Sequence, residues 1–485
     1  MMISKNILVL PLLVSLTVSC ESRSDSPEVV SPQDIEEETV KESTDPEKEP
    51  PVAVANPVRK KGKTCHRDIV EVAEMFKIKS RSYQCYALQV PKDYENPNAG
   101  SVRVDAVVIS GDDKSLDPLT IEQGGPGASS IELAFSEYYG FNLYGLPSPT
   151  IVAIEQRGTK YTENYVPMQV ACSSGQDEDS CKQSNSTRLT DAIPGLTNIS
   201  TPNIARDVFY GTETLVGAFG NFYGVSYGGI VGQHLGNLFD DRVKKIVLDS
   251  APDLGWDWNS QLDKSLMASL AHLDKLCRVS KCSRPNIAGK LMDIKKRTPV
   301  EGVDVRGRTV DFKSLEAFAK SHMRNTAKMS ELRNIIDIIH RDGFAILTPY
   351  SLDLLVPEDK EKKVNDSPLM YYKIFCSEVY NTDLWGQEDP FESLCGLFES
   401  NRVTIEDIQF DTPTLVLAGK LDPIVPPERS KRIADHLNNA KYIVSDNQTH
   451  GTLKEKCTIK RFWSWLKTGT LKSDPNCGKD LSAVN

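Results

Sequence analysis

The chain has 485 residues, 39% of them hydrophobic and 26% charged, with a formal net charge of −10. That composition suits a soluble globular body of one large domain or two ordinary ones. Asp34 to Glu49 alone hold eight acidic residues and two lysines, −6 of the total. The remainder is only mildly acidic, leaves no basic face, and excludes nucleic-acid binding.

Residues 1–20 read as a targeting segment. Lys5 supplies a positive start, and Ile7 to Val18 form an apolar stretch too short to span a bilayer. Leu16-Thr17-Val18-Ser19-Cys20 looks like a bacterial lipobox, in which Cys20 is lipidated and becomes the N-terminus. An ordinary cleaved signal peptide is the alternative. With Cys20 lipidated, the expected location is the bacterial cell envelope, periplasmic or cell-surface, with the membrane reached through that anchor. Residues 21–64 are rich in Ser, Pro, Glu and Asp and nearly free of aromatics, so a disordered tether is expected there.

A strand–helix alternation follows. Strands are expected at Val102–Ile109, Leu119–Glu122, Thr150–Glu155, Phe219–Gly224, Lys245–Asp249, Thr414–Ala418 and Lys441–Val444. Several are unbroken apolar runs, as in parallel strands covered on both faces. Between Ala251 and Asp411 the rhythm changes: Leu262, Leu266, Leu270 and Leu273, then Leu332, Ile335, Ile336 and Ile339, keep helical spacing. The expectation is an α/β core in two parts, 65–255 and 411–485, with a helical cap, 256–410, inserted between them.

Eleven cysteines become ten without Cys20, in five sequence-local pairs: Cys65/Cys85, Cys172/Cys181, Cys277/Cys282, Cys376/Cys395 and Cys457/Cys477. Even parity points to disulfides in an oxidising compartment. No CxxC pair occurs and no histidines stand at ligand spacing, so no metal is expected.

The strongest chemical signal is Gly224-Val225-Ser226-Tyr227-Gly228, preceded by a hydrophobic strand and followed by an apolar helical stretch. A nucleophile elbow of the α/β-hydrolase fold needs that context, with small residues relieving a sharp turn. Ser226 is therefore the expected nucleophile. Serine needs a base oriented by an acid, and in this fold both follow it in the chain, acid first. Of seven histidines, His66 precedes the core, His234 lies on the nucleophile's helix, His272, His322 and His340 belong to the insertion, and His436 sits in a helical run. His450, in the polar loop after the last strand, remains as base. Asp422, in the loop after Thr414–Ala418, is the expected acid, with Asp446 less well placed. Two backbone donors must hold the oxyanion: Tyr227 N–H, and Gly125 N–H from Gln123-Gly124-Gly125-Pro126-Gly127, with Gly124 as neighbour.

Gly124–Gly127, Glu155-Gln156-Arg157-Gly158, Gly224–Gly228, Leu248-Asp249 and Leu417-Ala418-Gly419 through Asp422 stand in the order seen in the prolyl aminopeptidase family. The chain resembles its secreted tripeptidyl-aminopeptidase-like branch more closely, whose opening motif Val90-Pro91-Lys92-Asp93-Tyr94-Glu95-Asn96-Pro97 also looks like. The likeness covers roughly residues 85 to 480. Gln123 stands where prolyl aminopeptidases often carry histidine, and Glu155 where they often carry aspartate. Both leave the triad untouched and argue against strict proline specificity. The resemblance implies a cofactor-free exopeptidase acting on peptide substrates with a free N-terminus, whose ammonium is met by a cap carboxylate. Glu378, in Ile374-Phe375-Cys376-Ser377-Glu378, is the candidate. A carboxylesterase would share the triad, and an inactive binding lipoprotein would keep only the fold. Epoxide hydrolases and haloalkane dehalogenases carry aspartate at the elbow, which Ser226 excludes.

Overall fold

A computed structural model describes residues 56–163, 198–299, 302–356, 367–381 and 395–471. The targeting segment with Cys20, and the pair Cys172/Cys181, lie outside the described residues. The strands are β1 (Arg59–Lys63), β2 (Tyr83–Pro91), β3 (Ser101–Ile109), β4 (Leu119–Glu122), β5 (Ile151–Ile154), β6 (Asn221–Val225), β7 (Lys245–Asp249), β8 (Val303–Val305), β9 (Arg308–Val310), β10 (Thr414–Gly419) and β11 (Ala440–Ser445). Nine form one sheet in the order β1-β2-β3-β5-β4-β6-β7-β10-β11. From β5 to β11 neighbours run parallel, and β1, β2 and β3 add an antiparallel edge.

The helices are α1 (Arg67–Met75), α2 (Ser130–Leu143), α3 (Thr201–Val216), α4 (Tyr227–Phe239), α5 (Leu262–Ser280), α6 (Ile287–Arg297), α7 (Phe312–Met323), α8 (Met329–Asp342), α9 (Pro349–Leu355), α10 (Pro368–Ile374), α11 (Pro427–His436) and α12 (Lys456–Thr468). α1, α2 and α12 share one apolar cluster with inward residues of the sheet such as Ile121, Tyr223 and Val247. α3, α4 and α11 bury the opposite face with Phe222, Ile246 and Leu248. A mostly parallel sheet covered on both faces, with an elbow after β6, is the α/β-hydrolase fold. The strand order reverses between β4 and β6, and in such sheets that reversal opens a crevice beyond the strand ends.

The insertion departs from a single helical cap. α5 to α9, with the small sheet β8-β9, enclose a core of their own that includes Leu266, Leu270, Leu332 and Ile336. Leu369, Met370, Phe375 and Val379 instead pack into the main cluster beside Tyr227 and Ile230. The tether expected through residue 64 also ends sooner. Arg59–Lys63 pairs antiparallel with β2, Lys63 opposite Cys85, and the Cys65–Cys85 disulfide pins it there. Its side chains are nearly all exposed, so backbone pairing holds a strand that composition could not announce, and its lysines suit an edge. Disulfides also join Cys277 to Cys282 and Cys376 to Cys395. Cys457 is disulfide-bonded, and its expected partner Cys477 lies outside the described residues. Among the described residues no helix is long and apolar enough to cross a membrane.

Candidate active site

Ser226 stands between β6 and α4 with φ 58° and ψ −122°, a conformation that a residue with a side chain adopts only under constraint. Two glycines leave room for it. A Cβ on Gly224 would come within 2.2 Å of the Gly228 carbonyl oxygen, and one on Gly228 within 2.3 Å of that of Glu122. The Ser226 N–H donates to the Asp249 carbonyl at 2.9 Å.

β4 runs beside β6, with Glu122 opposite Gly224, which lays the glycine-rich loop against the elbow. A Cβ on Gly124 would stand 2.6 Å from the Ser226 Cβ. The loop is braced from within: the Gly124 N–H donates to Gln123 Oε1 (2.8 Å) and the Gly127 N–H to Gln156 Oε1 (3.0 Å), while Gln156 Nε2 donates to the Gln123 carbonyl (2.7 Å). Gly124's N–H is thus occupied, and Gly125, at φ 109°, presents the next one. Tyr227 begins α4, so its N–H has no acceptor within the helix. Tyr227 therefore stands directly after the serine, and the loop that carries Gly125 touches it through Gly124.

Asp422 and His450 are buried and joined, Nδ1 to Oδ2, at 2.8 Å. Asp422 Oδ1 accepts the N–H groups of Ile424 (2.8 Å) and Val425 (3.0 Å), which fixes its plane. A carboxylate only accepts, so Nδ1 donates to Asp422, and in the neutral ring that leaves the lone pair on Nε2. No hydrogen bond joins Ser226 Oγ to His450 among the described residues; such contacts often tighten only with substrate bound. Both are tied to the end of β7. Asp249 takes the Ser226 N–H on its carbonyl, and the Thr452 N–H (3.0 and 2.7 Å) and Tyr223 OH (3.0 Å) on its carboxyl. Burial pushes that carboxyl up. Neither Asp249 nor Gln156 was given a role by the sequence; the only signal was membership of the shared motifs.

The other histidines stand elsewhere. His272, His322 and His340 lie on α5, α7 and α8, His436 ends α11, and His66 caps α1. His234 is buried on α4, and burial depresses it to about 4. Asp446 forms an ion pair with Lys420 at 2.6 Å, and it is Asp422 that bonds His450. Glu378 is half-buried in the seam between insertion and core. It accepts the Thr201 N–H at 2.8 Å and the Thr201 hydroxyl, whose oxygen also lies 2.7 Å from Tyr227 OH. Burial raises it to about 7. No group of three or more His, Cys, Asp or Glu side chains placed to hold a metal occurs among the described residues.

A model of the TAP-like protein family, an α/β-hydrolase group, matches residues 393–477, the stretch holding Asp422 and His450. No curated protein matches the chain. Among solved structures it is similar to a hydrolase from Pseudomonas aeruginosa PA01, with 10% identity over 76% of this chain and 92% of that one and a TM-score of 0.32. It is also similar to an epoxide hydrolase from Bacillus megaterium, with 14% identity, 76% and 98% covered, and a TM-score of 0.36. A third is Rv0554 from Mycobacterium tuberculosis, with 14% identity, 79% and 99% covered, and a TM-score of 0.35.

Proposed function

We propose that this chain is an exported serine hydrolase, lipid-anchored at Cys20, that releases amino acids or short peptides from a free N-terminus. Ser226 is the nucleophile, His450 the base and Asp422 the acid that orients it. Gly125 and Tyr227 supply the oxyanion N–H groups, and Glu378 meets the substrate's ammonium. The observation that supports this best is the buried His450–Asp422 bond at 2.8 Å, on loops tied through Asp249 to a strained Ser226. The match to TAP-like proteins over residues 393–477 supports peptides over esters.

In this reading Ser226 Oγ attacks the scissile carbonyl as His450 Nε2 takes its proton, and Asp422 steadies the imidazolium through Nδ1–H. Negative charge grows on the carbonyl oxygen between the N–H groups of Gly125 and Tyr227. His450 then protonates the departing amine, and water, activated by the same base, hydrolyses the acyl-serine.

The test compares aminoacyl and tripeptidyl anilides with short acyl esters, alongside labelling by a fluorophosphonate. Turnover of the anilides with labelling at Ser226 is the expected result. Ester turnover alone would make the chain a carboxylesterase, and absence of labelling would leave a binding protein. Ser226→Ala should lower kcat by roughly 10⁴ to 10⁶ without unfolding the chain.

A further inference from the structure

The insertion does more than stand over the sheet, because its first lobe, α5 to α9, grips both loops that carry the acid and the base. Leu421, next to Asp422, is fully buried in the lobe's own core beside Leu266, Leu270 and Leu273 rather than in either core of the sheet. The buried hydroxyl of Ser269, on α5, stands between two carbonyl acceptors, that of Asp422 at 2.5 Å and that of Ser265 at 2.9 Å, and the shorter contact is to Asp422. One turn further along the same face, His272 Nε2 lies 3.0 Å from the Asp446 carbonyl at the start of the base loop. At the end of α7 the Arg324 carbonyl accepts two bonds from that loop, from Thr449 Oγ1 (3.0 Å) and Lys454 Nζ (2.9 Å). Lys454 Nζ also donates to the His450 carbonyl itself, at 2.6 Å.

We propose that this lobe positions the Asp422–His450 pair, Ser269 holding the acid's backbone and the Arg324 carbonyl, through Lys454 and Thr449, holding the base's backbone. The proposal rests on the hydrolase reading above. A cap that merely filters substrates needs no bonds to catalytic backbone; these bonds end on the acid and base residues and their immediate neighbours. Asp422 Oδ1 is fixed by its own loop, so its carboxylate can shift only if the loop shifts, and Ser269 and Leu421 hold that loop from the cap side, alongside its backbone bonds to Ser445 and Gln448. On the base side, Lys454 bridges cap and His450 with a single cation. Ser269 and Lys454 are thus positioning residues, acting through backbone they do not share with the substrate.

The experiment measures kcat and KM on a tripeptidyl anilide and on p-nitrophenyl acetate, and the rate of fluorophosphonate labelling, for the whole mature chain. Variants are Ser269→Ala and Lys454→Met, with Ser269→Thr and Lys454→Arg as conservative partners. Misplacing a catalytic group by about 1 Å can cost on the order of 10²-fold. The expected result is a kcat lowered about tenfold or more on both substrates, KM within about twofold, labelling slowed in parallel, and recovery in the conservative variants. Acetate is too small to touch the cap, so its loss reports the triad and not substrate access. Thermal melting identifies any variant that is simply unfolded, and the conservative variant at that position then bears the test. Normal acetate turnover and labelling, with only the anilide's KM raised, would overturn the proposal and leave the cap a filter. Failure of the folded wild type to be labelled would overturn both this proposal and the hydrolase reading.

Discussion

At Gly124 one methyl group would crowd the elbow serine. A Cβ there would stand 2.6 Å from the Ser226 Cβ and 3.1 Å from its Oγ, distances that side-chain atoms do not tolerate, so either the loop or the serine must move. Gly124→Ala should therefore cost on the order of 10²-fold in kcat while leaving the melting temperature nearly unchanged; full activity would show that the loop lies farther from the reacting carbonyl. Glu378 makes a different prediction. Its carboxyl is pushed up to about 7 by burial, and only the ionised form attracts an ammonium. The ratio of kcat/KM for peptides to that for small esters cancels the shared base. That ratio should climb as pH rises through about 7, then fall once the substrate amine deprotonates near about 8. Glu378→Gln should flatten the ratio and lower peptide kcat/KM by roughly 30-fold. Equal losses on both substrates would assign Glu378 to the Thr201 cap alone.

Three of the shared motifs, Val90–Pro97, Glu155–Gly158 and Leu248-Asp249, brace the fold rather than lie at the reacting atoms. Arg157 is wholly buried. It holds Asp207 on α3 through two bonds (2.5 and 2.7 Å) and donates to the carbonyls of Pro91 (2.6 Å) and Lys92 (2.5 Å), while Tyr94 OH donates to the same Asp207 at 2.8 Å. The Val90–Pro97 motif, the Glu155–Gly158 motif and α3 are thereby one unit. Removing one partner strands a buried charge, so Arg157→Met should destabilise by about 3–5 kcal/mol in denaturant unfolding. A loss under about 1 kcal/mol would mean that Asp207 is neutralised or rehydrated instead. The strands with a dense apolar pattern, β3 to β7 and β10, were legible to within a residue or two, as was the pairing of Asp422 with His450. β1 was not, because its Arg-Lys-Lys-Gly-Lys run buries nothing, and β8 and β9 are too short to show a period. The braces supplied by Asp249 and Gln156 stayed hidden for another reason: they join residues 203 and 33 positions apart, and one sequence without the fold gives no sign of such pairings.

Over the whole molecule, several buried or half-buried carboxyls share one direction of shift. Burial lifts Glu155 to about 7 and Glu137 to about 8, along with Glu378 to about 7, and Glu122 is raised well above the ordinary range. A carboxyl whose folded value exceeds its unfolded one binds more protons when native, so stability falls as pH rises between the two values. Buried histidines act oppositely: His234, depressed to about 4, makes the unfolded chain the better proton binder between about 4 and the ordinary histidine value of about 6.5. The two effects oppose each other below that point, and above it only the carboxyls are still titrating. Lys454, lowered to about 8 by burial, begins to favour the native state only beyond that pH. Between about 6.5 and 8 the chain should therefore lose on the order of 1–2 kcal/mol, seen as a melting temperature a few degrees lower at pH 8 than at pH 6.5 in scanning calorimetry with the disulfides intact. Glu137→Gln, which removes the group titrating highest in that window, should flatten the slope. A melting temperature that rises from pH 6.5 to 8 in the parent chain would mean that these carboxyls reach water in the folded state.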